Sequence, residues 1–272
     1  LGGAKPKALI VIDGEQWVIK FFNGEPVDSP LMEHASMTLA AKAGINVAQT
    51  NVISVDGLNA IVIRRFDRKG DKRVHCISAG TAIRASTASG LDPEMGYPEL
   101  ARILRRAGVS ENDVNASDAR ELFKRMVFNI LIDNTDDHEK NHSLLVVNPG
   151  GFAQFRLAPA YDVLPSNSGQ GFQEFICGDD LNDSTLANAM TQTEAFGLTQ
   201  AEAAELVVEV IGIVNTWREH FASLGVSEVD VESLAERIDG DELKSQRESF
   251  DPADYQQART RPSRRSPFQQ RR

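Results

Sequence analysis

The sequence predicts an α+β fold of two lobes, a small β-rich N-lobe carrying one helix and a mainly helical C-lobe. Three observations point there. Two apolar hairpins, each turned by Asp-Gly, flank one helical stretch within the first 66 residues. After them the apolar spacing changes from alternation to a helical period. Finally, the apolar run Phe128-Asn129-Ile130-Leu131-Ile132 delivers a dense polar loop, Asp133-Asn134-Thr135-Asp136-Asp137-His138-Glu139-Lys140-Asn141-His142, which a short apolar strand then leaves.

The chain opens on Leu1-Gly2-Gly3-Ala4-Lys5-Pro6-Lys7, a glycine-containing loop that runs into a strand at Ala8 to Ile12. Asp13-Gly14 turns it, and Gln16 to Phe21 returns as a second strand. Glycines let backbone amides approach phosphate oxygens, and Lys20 would project toward the same space from the face opposite Ile19 and Phe21. A solvated strand lysine is the competing reading. Ser29 as N-cap and Pro30 in the first turn start a helix through Leu31 to Ala43, which Gly44 closes. Glu33 lies near the edge of its apolar stripe, where it could pair with Lys20 or serve as an ordinary first-turn acid. Asn51 to Val55 and Ala60 to Phe66 form the second hairpin, turned by Asp56-Gly57. Strand, strand, helix, strand, strand is the layout of a nucleotide-gripping small lobe that ends in a hinge near Phe66-Asp67.

Helices are expected from Tyr97 to Ala107 and from about Asp118 to Ile132. Pro165 to Gly171 is too polar for core and suits a mobile segment. Thr199, with Glu202 three residues on, forms a capping box for a long helix to about Leu224, and a last weak helix runs from Val229 to Leu243. The organisation is a nucleotide-binding N-lobe over 1–68, a helical C-lobe over 69–250, and an arginine-rich tail over 251–272 read as disordered.

With 272 residues, 41% of them hydrophobic and 25% charged, the composition is that of a soluble globular protein. The first residue is Leu rather than Met, which reads as a fragment or a processed chain. No apolar run approaches the roughly 18 residues of a membrane span and no signal peptide opens the sequence, so a cytoplasmic location is expected. Cys76 and Cys177 lack metal or disulfide spacing. Net charge is −10, yet six arginines and no acid fall between Gln256 and Arg272, so the body is more acidic still. Such a body is not expected to bind DNA directly, because phosphate contacts need Lys and Arg.

Asp136 precedes Asn141 by five residues, the interval at which a kinase catalytic loop sets its proton acceptor and a magnesium ligand. Twenty-one residues after Asn141 comes Asp162, where a second metal-binding carboxylate would follow a hairpin. A polar helix-to-strand turn, with Asn and Asp capping backbone groups, remains the alternative for the loop alone.

Together these blocks resemble the HipA-like toxin serine/threonine kinases from Leu1 to about Leu243. The carriers are Leu1 to Lys7, Trp17-Val18-Ile19-Lys20-Phe21, Arg65-Phe66-Asp67-Arg68, His75-Cys76-Ile77-Ser78-Ala79, the Asn134 to Leu144 loop, and Leu157-Ala158-Pro159-Ala160-Tyr161-Asp162-Val163. The Thr-Asp-x-His-x-x-Asn loop followed by Pro-x-Tyr-Asp is specific. The resemblance implies a protein-kinase-like fold that transfers the ATP γ-phosphate to a protein hydroxyl. It implies Asp136 as base, Asn141 and Asp162 as ligands of Mg2+, and Lys20, partnered by Glu33, on the phosphates with Gly2, Gly3 and Lys7. The backbone around Arg64 to Phe66 would meet the adenine edge and Asp67 the ribose. Family members phosphorylate an aminoacyl-tRNA synthetase, inhibit translation, and are held by a small DNA-binding antitoxin of HipB type.

The sequence also departs from the family. Its N-terminal subdomain does not precede the loop here, so a separate chain could supply it, and no serine lies between Leu1 and Lys7 for self-phosphorylation. Arg64 stands at a hinge position where relatives often carry Glu. Two rivals are a catalytically silent pseudokinase that binds partners, and a phosphohydrolase built on Asp136, Asp137 and Asp162.

Overall fold

Asp-Gly pairs shape the small lobe. Asp13 and Gly14 take φ of 50° and 79°, and Asp56 and Gly57 take 52° and 82°. Positive φ at both central residues is the type I′ geometry whose twist matches that of the strands it joins. The computed structural model describes residues 6–22, 24–70, 72–88, 90–147, 152–166 and 170–256. In it β1 (Lys7–Ile12) pairs with β2 (Glu15–Phe21), and β3 (Thr50–Val55) with β4 (Leu58–Arg64). The antiparallel sheet runs β1-β2-β4-β3.

Alternation along the central strands divides the sheet's side chains between two faces. Trp17, Ile19, Ala60 and Val62 form a small cluster on one side, whereas Ile61 and Ile63 join the main core on the other. There they meet α1 (Ser29–Lys42), which packs on β3 and β4 and also on helices of the large lobe. Cover on both flanks explains why this Ala- and Ser-rich helix is buried almost all round. Its N-cap is Asp28, not Ser29: Asp28 Oδ1 accepts from the Leu31 amide at 3.1 Å, and Ser29 and Pro30 fill the first turn. Asp and Ser both suit a cap by type, and Ser29 is instead buried in the first turn.

A two-residue hairpin, β5 (Arg68–Lys69) and β6 (Lys72–Arg73), leads out of the small lobe. The large lobe carries a second sheet, in the order β7 (Cys76–Ser78), β8 (Ser143–Val147), β9 (Gln154–Leu157). Its helices are α2 (Ala79–Ser86), α3 (Tyr97–Ala107), α4 (Val114–Leu131), α5 (Leu186–Ala189), α6 (Gln200–Val214), α7 (Trp217–Ser223), α8 (Glu228–Ile238) and α9 (Asp241–Ser249). α4 is the axis: Leu122, Phe123, Met126, Val127, Ile130 and Leu131 are fully buried against α3, α6 and β9. At ~1.5–3 kcal/mol for each large apolar side chain buried, this stripe anchors the lobe.

Several boundaries differ from expectation. α4 begins before Asp118, whose carboxylate instead serves tertiary structure, accepting from Arg156 Nε at 2.9 Å and the Leu157 amide at 2.8 Å. The stretch from Thr199 to Leu224 is two helices, parted at Asn215 and Thr216, although the Thr199–Glu202 capping box is present as expected. The weak helix from Val229 to Leu243 is likewise α8 and α9, split at Gly240, where a Cβ would lie 2.6 Å from the Glu236 carbonyl oxygen. α2, too short to show a period, was not anticipated. Residues 252–255, assigned to the tail, form a 3-10 turn in which Tyr255 stacks on Phe250 at 5.3 Å; the tail from 257 and residues 167–169 lie outside the described residues. Among the described residues no helix is long and apolar enough to cross a membrane.

Candidate active site

Lys20 reaches the space between the lobes because β2 turns Ile19 into the small apolar cluster, which sends the next residue toward α1. Its Nζ lies 2.7 Å from Glu33 Oε1 on α1 and 2.7 Å from Asp162 Oδ1, from the loop that follows β9. Both Lys20 and Glu33 are buried. Burial alone would pull the ammonium pKa down, but the two carboxylates outweigh it and hold the group above the ordinary lysine value. Lys20 is therefore a fixed cation.

Asp162 takes φ of 59°, in the left-handed region. The chain before it enforces that bend: the Ala48 amide donates to the Ala160 carbonyl at 2.8 Å, the Ala160 amide to the Asn46 carbonyl at 2.8 Å, and Arg125 Nη2 to the Ala158 carbonyl at 2.7 Å. An aspartate tolerates this conformation at modest cost when its surroundings fix it.

The polar loop after α4 is held from beneath. Asp137 and His142 are buried; His142 Nε2 lies 3.0 Å from Asp137 Oδ2, and Tyr97 donates its hydroxyl to the same oxygen. Asn129 Nδ2 donates to the Tyr97 oxygen at 2.9 Å, and Asn134 Nδ2 to Asn129 Oδ1 at 3.2 Å. Against this buried network Asp136 stands exposed. Its amide donates to Ser166 Oγ at 2.9 Å, and its carbonyl accepts from Asn141 Nδ2 at 3.3 Å. The Asn141 NH2 is thus turned into the loop. Tyr161 then joins the two halves of the site: its hydroxyl donates to the Lys140 carbonyl at 2.7 Å and lies 2.7 Å from Ser143 Oγ. Asn141 and Asp162 therefore follow two residues that are bonded to each other. Burial raises the Tyr161 phenol to about 12, so it stays a donor.

At the hinge, the amides of Arg64 and Arg65 are already donated, to the carbonyls of Gln49 at 2.8 Å and Gln16 at 3.0 Å. Of the backbone expected to meet adenine, these two donors bond within the sheet instead. Phe66 packs on Tyr161, with ring centroids 5.6 Å apart. Asp67 accepts from Arg65 Nε at 2.9 Å and from Arg68 Nη1 at 2.6 Å. Burial would raise its pKa, but the arginines win and hold it below the usual value. Lys7 faces Lys20 across the β1–β2 pair. Gly2 and Gly3 lie outside the described residues.

The structure thus brings Lys20, Glu33 and Asp162 into one bonded triad, and joins Asp136 to Asn141. Tyr97, Tyr161 and Ser166 were not anticipated; a tyrosine that opens a helix in an apolar context is a weak signal for a buried hydroxyl in need of a partner. Among the described residues no three His, Cys, Asp or Glu side chains are grouped to hold a metal. Asn141 and Asp162 carry only oxygen donors of the kind a hard cation takes. A larger cavity, about 810 Å³, lies among Arg218, Glu232, Asp239, Arg247 and Glu248. Within it Arg218 pairs with Glu232 and Asp239, and Arg247 with Asp239.

A family model described as the HipA-like C-terminal domain matches residues 1–217. The chain belongs to that family. It is 26% identical over 157 residues to the serine/threonine-protein kinase toxin HipA of Shewanella oneidensis, covering 52% of this chain and 35% of that protein. This HipA-like chain spans between 30% and 51% of the length of the curated relatives it matches. Among solved structures, HipA from the Shewanella oneidensis complex of HipA, HipB and operator DNA aligns with a TM-score of 0.68 at 16% identity, over 92% of this chain and 64% of that one. The Helicobacter pylori proinflammatory kinase CtkA aligns with a TM-score of 0.64 at 14% identity, over 90% of each chain. At these identities the structures speak for the fold, a two-lobed protein-kinase-like one.

Proposed function

We propose that this HipA-like chain is a magnesium-dependent protein serine/threonine kinase that transfers the γ-phosphate of ATP to a protein hydroxyl. The observation that carries the reading is Lys20 fixed between Glu33 and Asp162, since a buried lysine tied to a helix acid and to a loop carboxylate is what grips a nucleotide's phosphates beside its metal. In this reading residues 1–68 grip nucleotide and 69–250 supply the catalytic loop. Lys20 meets the phosphates, with Gly2, Gly3 and Lys7 near them; Phe66 and Asp67 face the adenosine. Asn141 and Asp162 hold Mg2+, which, when bound, neutralises charge on the phosphates. Asp136, the exposed acid of the loop, orients the acceptor hydroxyl and takes its proton as the hydroxyl oxygen bonds to the γ-phosphorus and the bond from that phosphorus to the bridging oxygen breaks, releasing ADP.

Family membership supports the further proposal of a toxin that phosphorylates an aminoacyl-tRNA synthetase and is restrained by a HipB-like antitoxin, in the cytoplasm. The phosphohydrolase alternative loses its support, because Asp137 is buried and bonded to Tyr97 and His142.

The test is transfer of radiolabelled γ-phosphate to casein by the wild type and by Asp136→Ala. We expect transfer that requires Mg2+ and falls by about 10²–10⁴-fold in the variant, the usual worth of a positioned base. ATP binding without Mg2+ dependence and without transfer would instead mark a partner-binding pseudokinase.

A further inference from the structure

Holding Glu33 against Lys20 requires that α1 neither roll nor slide, and a polar contact with the large lobe pins it. His220 of α7 is buried between two α1 side chains, with Nε2 2.9 Å from Thr38 Oγ1 and Nδ1 2.8 Å from Lys42 Nζ. A lysine ammonium only donates, so Nδ1 must accept. Nε2 then carries the proton and donates to Thr38 Oγ1, whose own hydrogen goes to the His34 carbonyl at 2.9 Å. Only neutral imidazole satisfies all three groups.

Thr38 and Glu33 are five residues apart on one rigid helix, ~7.5 Å along its axis. We propose, resting on the kinase reading, that His220 is a positioning residue: neutral, it locks α1 and with it Glu33 in the register that holds Lys20, and its protonation releases α1 and slows phosphoryl transfer.

Protonation would place an N–H against the Lys42 ammonium. The charged groups acting on His220 are Lys42 and His34, both on α1 and both basic, with no carboxylate among them; against them only the Ala35 carbonyl favours the protonated ring, and burial and Lys42 outweigh it. On α7 itself, Arg218 is engaged with Glu232 and Asp239. Burial first and Lys42 second hold the imidazole below its ordinary pKa. The sign follows: released or unfolded histidine takes a proton near pH ~6.5 while the locked one does not, so the lock weakens as pH falls below about 6.5.

The experiment compares full-length wild type, His220→Phe and His220→Gln between pH 8 and 5.5, by casein phosphorylation under Mg-ATP and by amide-exchange protection of α1. Near neutral pH we expect His220→Phe to lose about tenfold in kcat with KM for ATP little changed, the size of one to two net hydrogen bonds. Its α1 protection should fall as well. Wild type should lose kcat and α1 protection together on acidification, whereas His220→Gln, an amide without a titrating proton, keeps kcat and lacks the acid fall. If His220→Phe does not fold, Thr38→Val removes the same acceptor. Wild-type kcat and α1 protection in His220→Phe, or a loss confined to melting temperature, would overturn the proposal. A wild type that never phosphorylates casein yet loses α1 protection on acidification would sink the kinase reading while keeping the pin.

Discussion

Tyr161 donates its hydroxyl to the carbonyl of Lys140 at 2.7 Å, so the residues that immediately precede Asp162 and Asn141 are bonded to each other across the mouth of the candidate site. The β8–β9 pairing, extended by the Ala158 amide on the Ser143 carbonyl at 2.9 Å, brings the two segments together, and the Tyr161 hydroxyl ties them beyond the end of the sheet. Tyr161→Phe keeps the ring contact with Phe66 and removes the link. We expect a loss of about 1–2 kcal/mol in stability, the worth of a part-buried hydroxyl and the acceptor it leaves behind. The Mg2+ concentration needed for half-maximal transfer should rise several-fold while KM for casein holds. Metal titration of the purified variant, alongside urea melts, measures both; an unchanged metal requirement would confine Tyr161 to a structural role.

Lys20→Met removes the cation from between Glu33 and Asp162 and leaves Glu33 as a buried acid without its counter-charge. Breaking such a pair costs about 3–5 kcal/mol. Because the folded-state pKa of Lys20 is raised, its contribution is complete below the unfolded value of about 10.5 and disappears only at still higher pH. The lysine itself therefore adds no slope to wild-type stability from pH 6 to 9 in denaturant titrations. A gap to the variant that narrows as pH falls within that window would mark the buried carboxyl taking a proton once the cation is gone.

Ser166 touches the loop twice, giving its amide to the Asp133 carbonyl at 2.8 Å and accepting the Asp136 amide on its Oγ at 2.9 Å. Ser166→Ala keeps the first bond and loses the second, which loosens the backbone that aims Asp136. We expect kcat to fall by about tenfold, as for one lost hydrogen bond at the reacting group, with stability changed by about 1 kcal/mol or less. Ser166→Thr, which retains the hydroxyl, should restore most of kcat. Failure of that rescue would detach Ser166 from the positioning of Asp136.

Legibility of this molecule in its sequence tracks the range of the interactions concerned. The two Asp-Gly hairpins and the bounds of α3 are local, and the sequence reading places them well. Strand alternation and the order of elements left the pairing of Lys20 with Glu33 open against an ordinary first-turn acid; the family resemblance implied it, and the structure shows the two at 2.7 Å. The bond from Lys20 to Asp162 spans 142 residues and comes from where β9 ends, which no periodicity encodes. Helix breaks at Asn215 and Gly240 were missed because apolar spacing continues across them; Gly240 was the available signal. Tyr97 was legible as the start of a helix and not as the floor beneath Asp137, because its partners lie 32 and 40 residues away.

Asp67 lies at the exit of β4, with its carboxylate gripped by Arg65 and Arg68. Two roles compete for that carboxylate: bracing the hinge, and meeting the ribose of a bound nucleotide. Asp67→Asn separates them. Its folded-state pKa is depressed, so any stabilisation it gives is present above the unfolded value of about 3.9 and fades as pH falls through the lower folded value. The difference in unfolding free energy between wild type and variant should thus be constant above about pH 4 and shrink below it, at about 1 kcal/mol for a group this partly exposed. Ribose contact adds a distinct signature, since loss of a group that binds substrate and transition state alike raises KM for ATP and leaves kcat unchanged. A variant with the acid-limb change but wild-type KM would keep Asp67 as a hinge brace alone. One that raises KM as well shows that an arginine-held carboxylate still has an acceptor oxygen to offer the sugar.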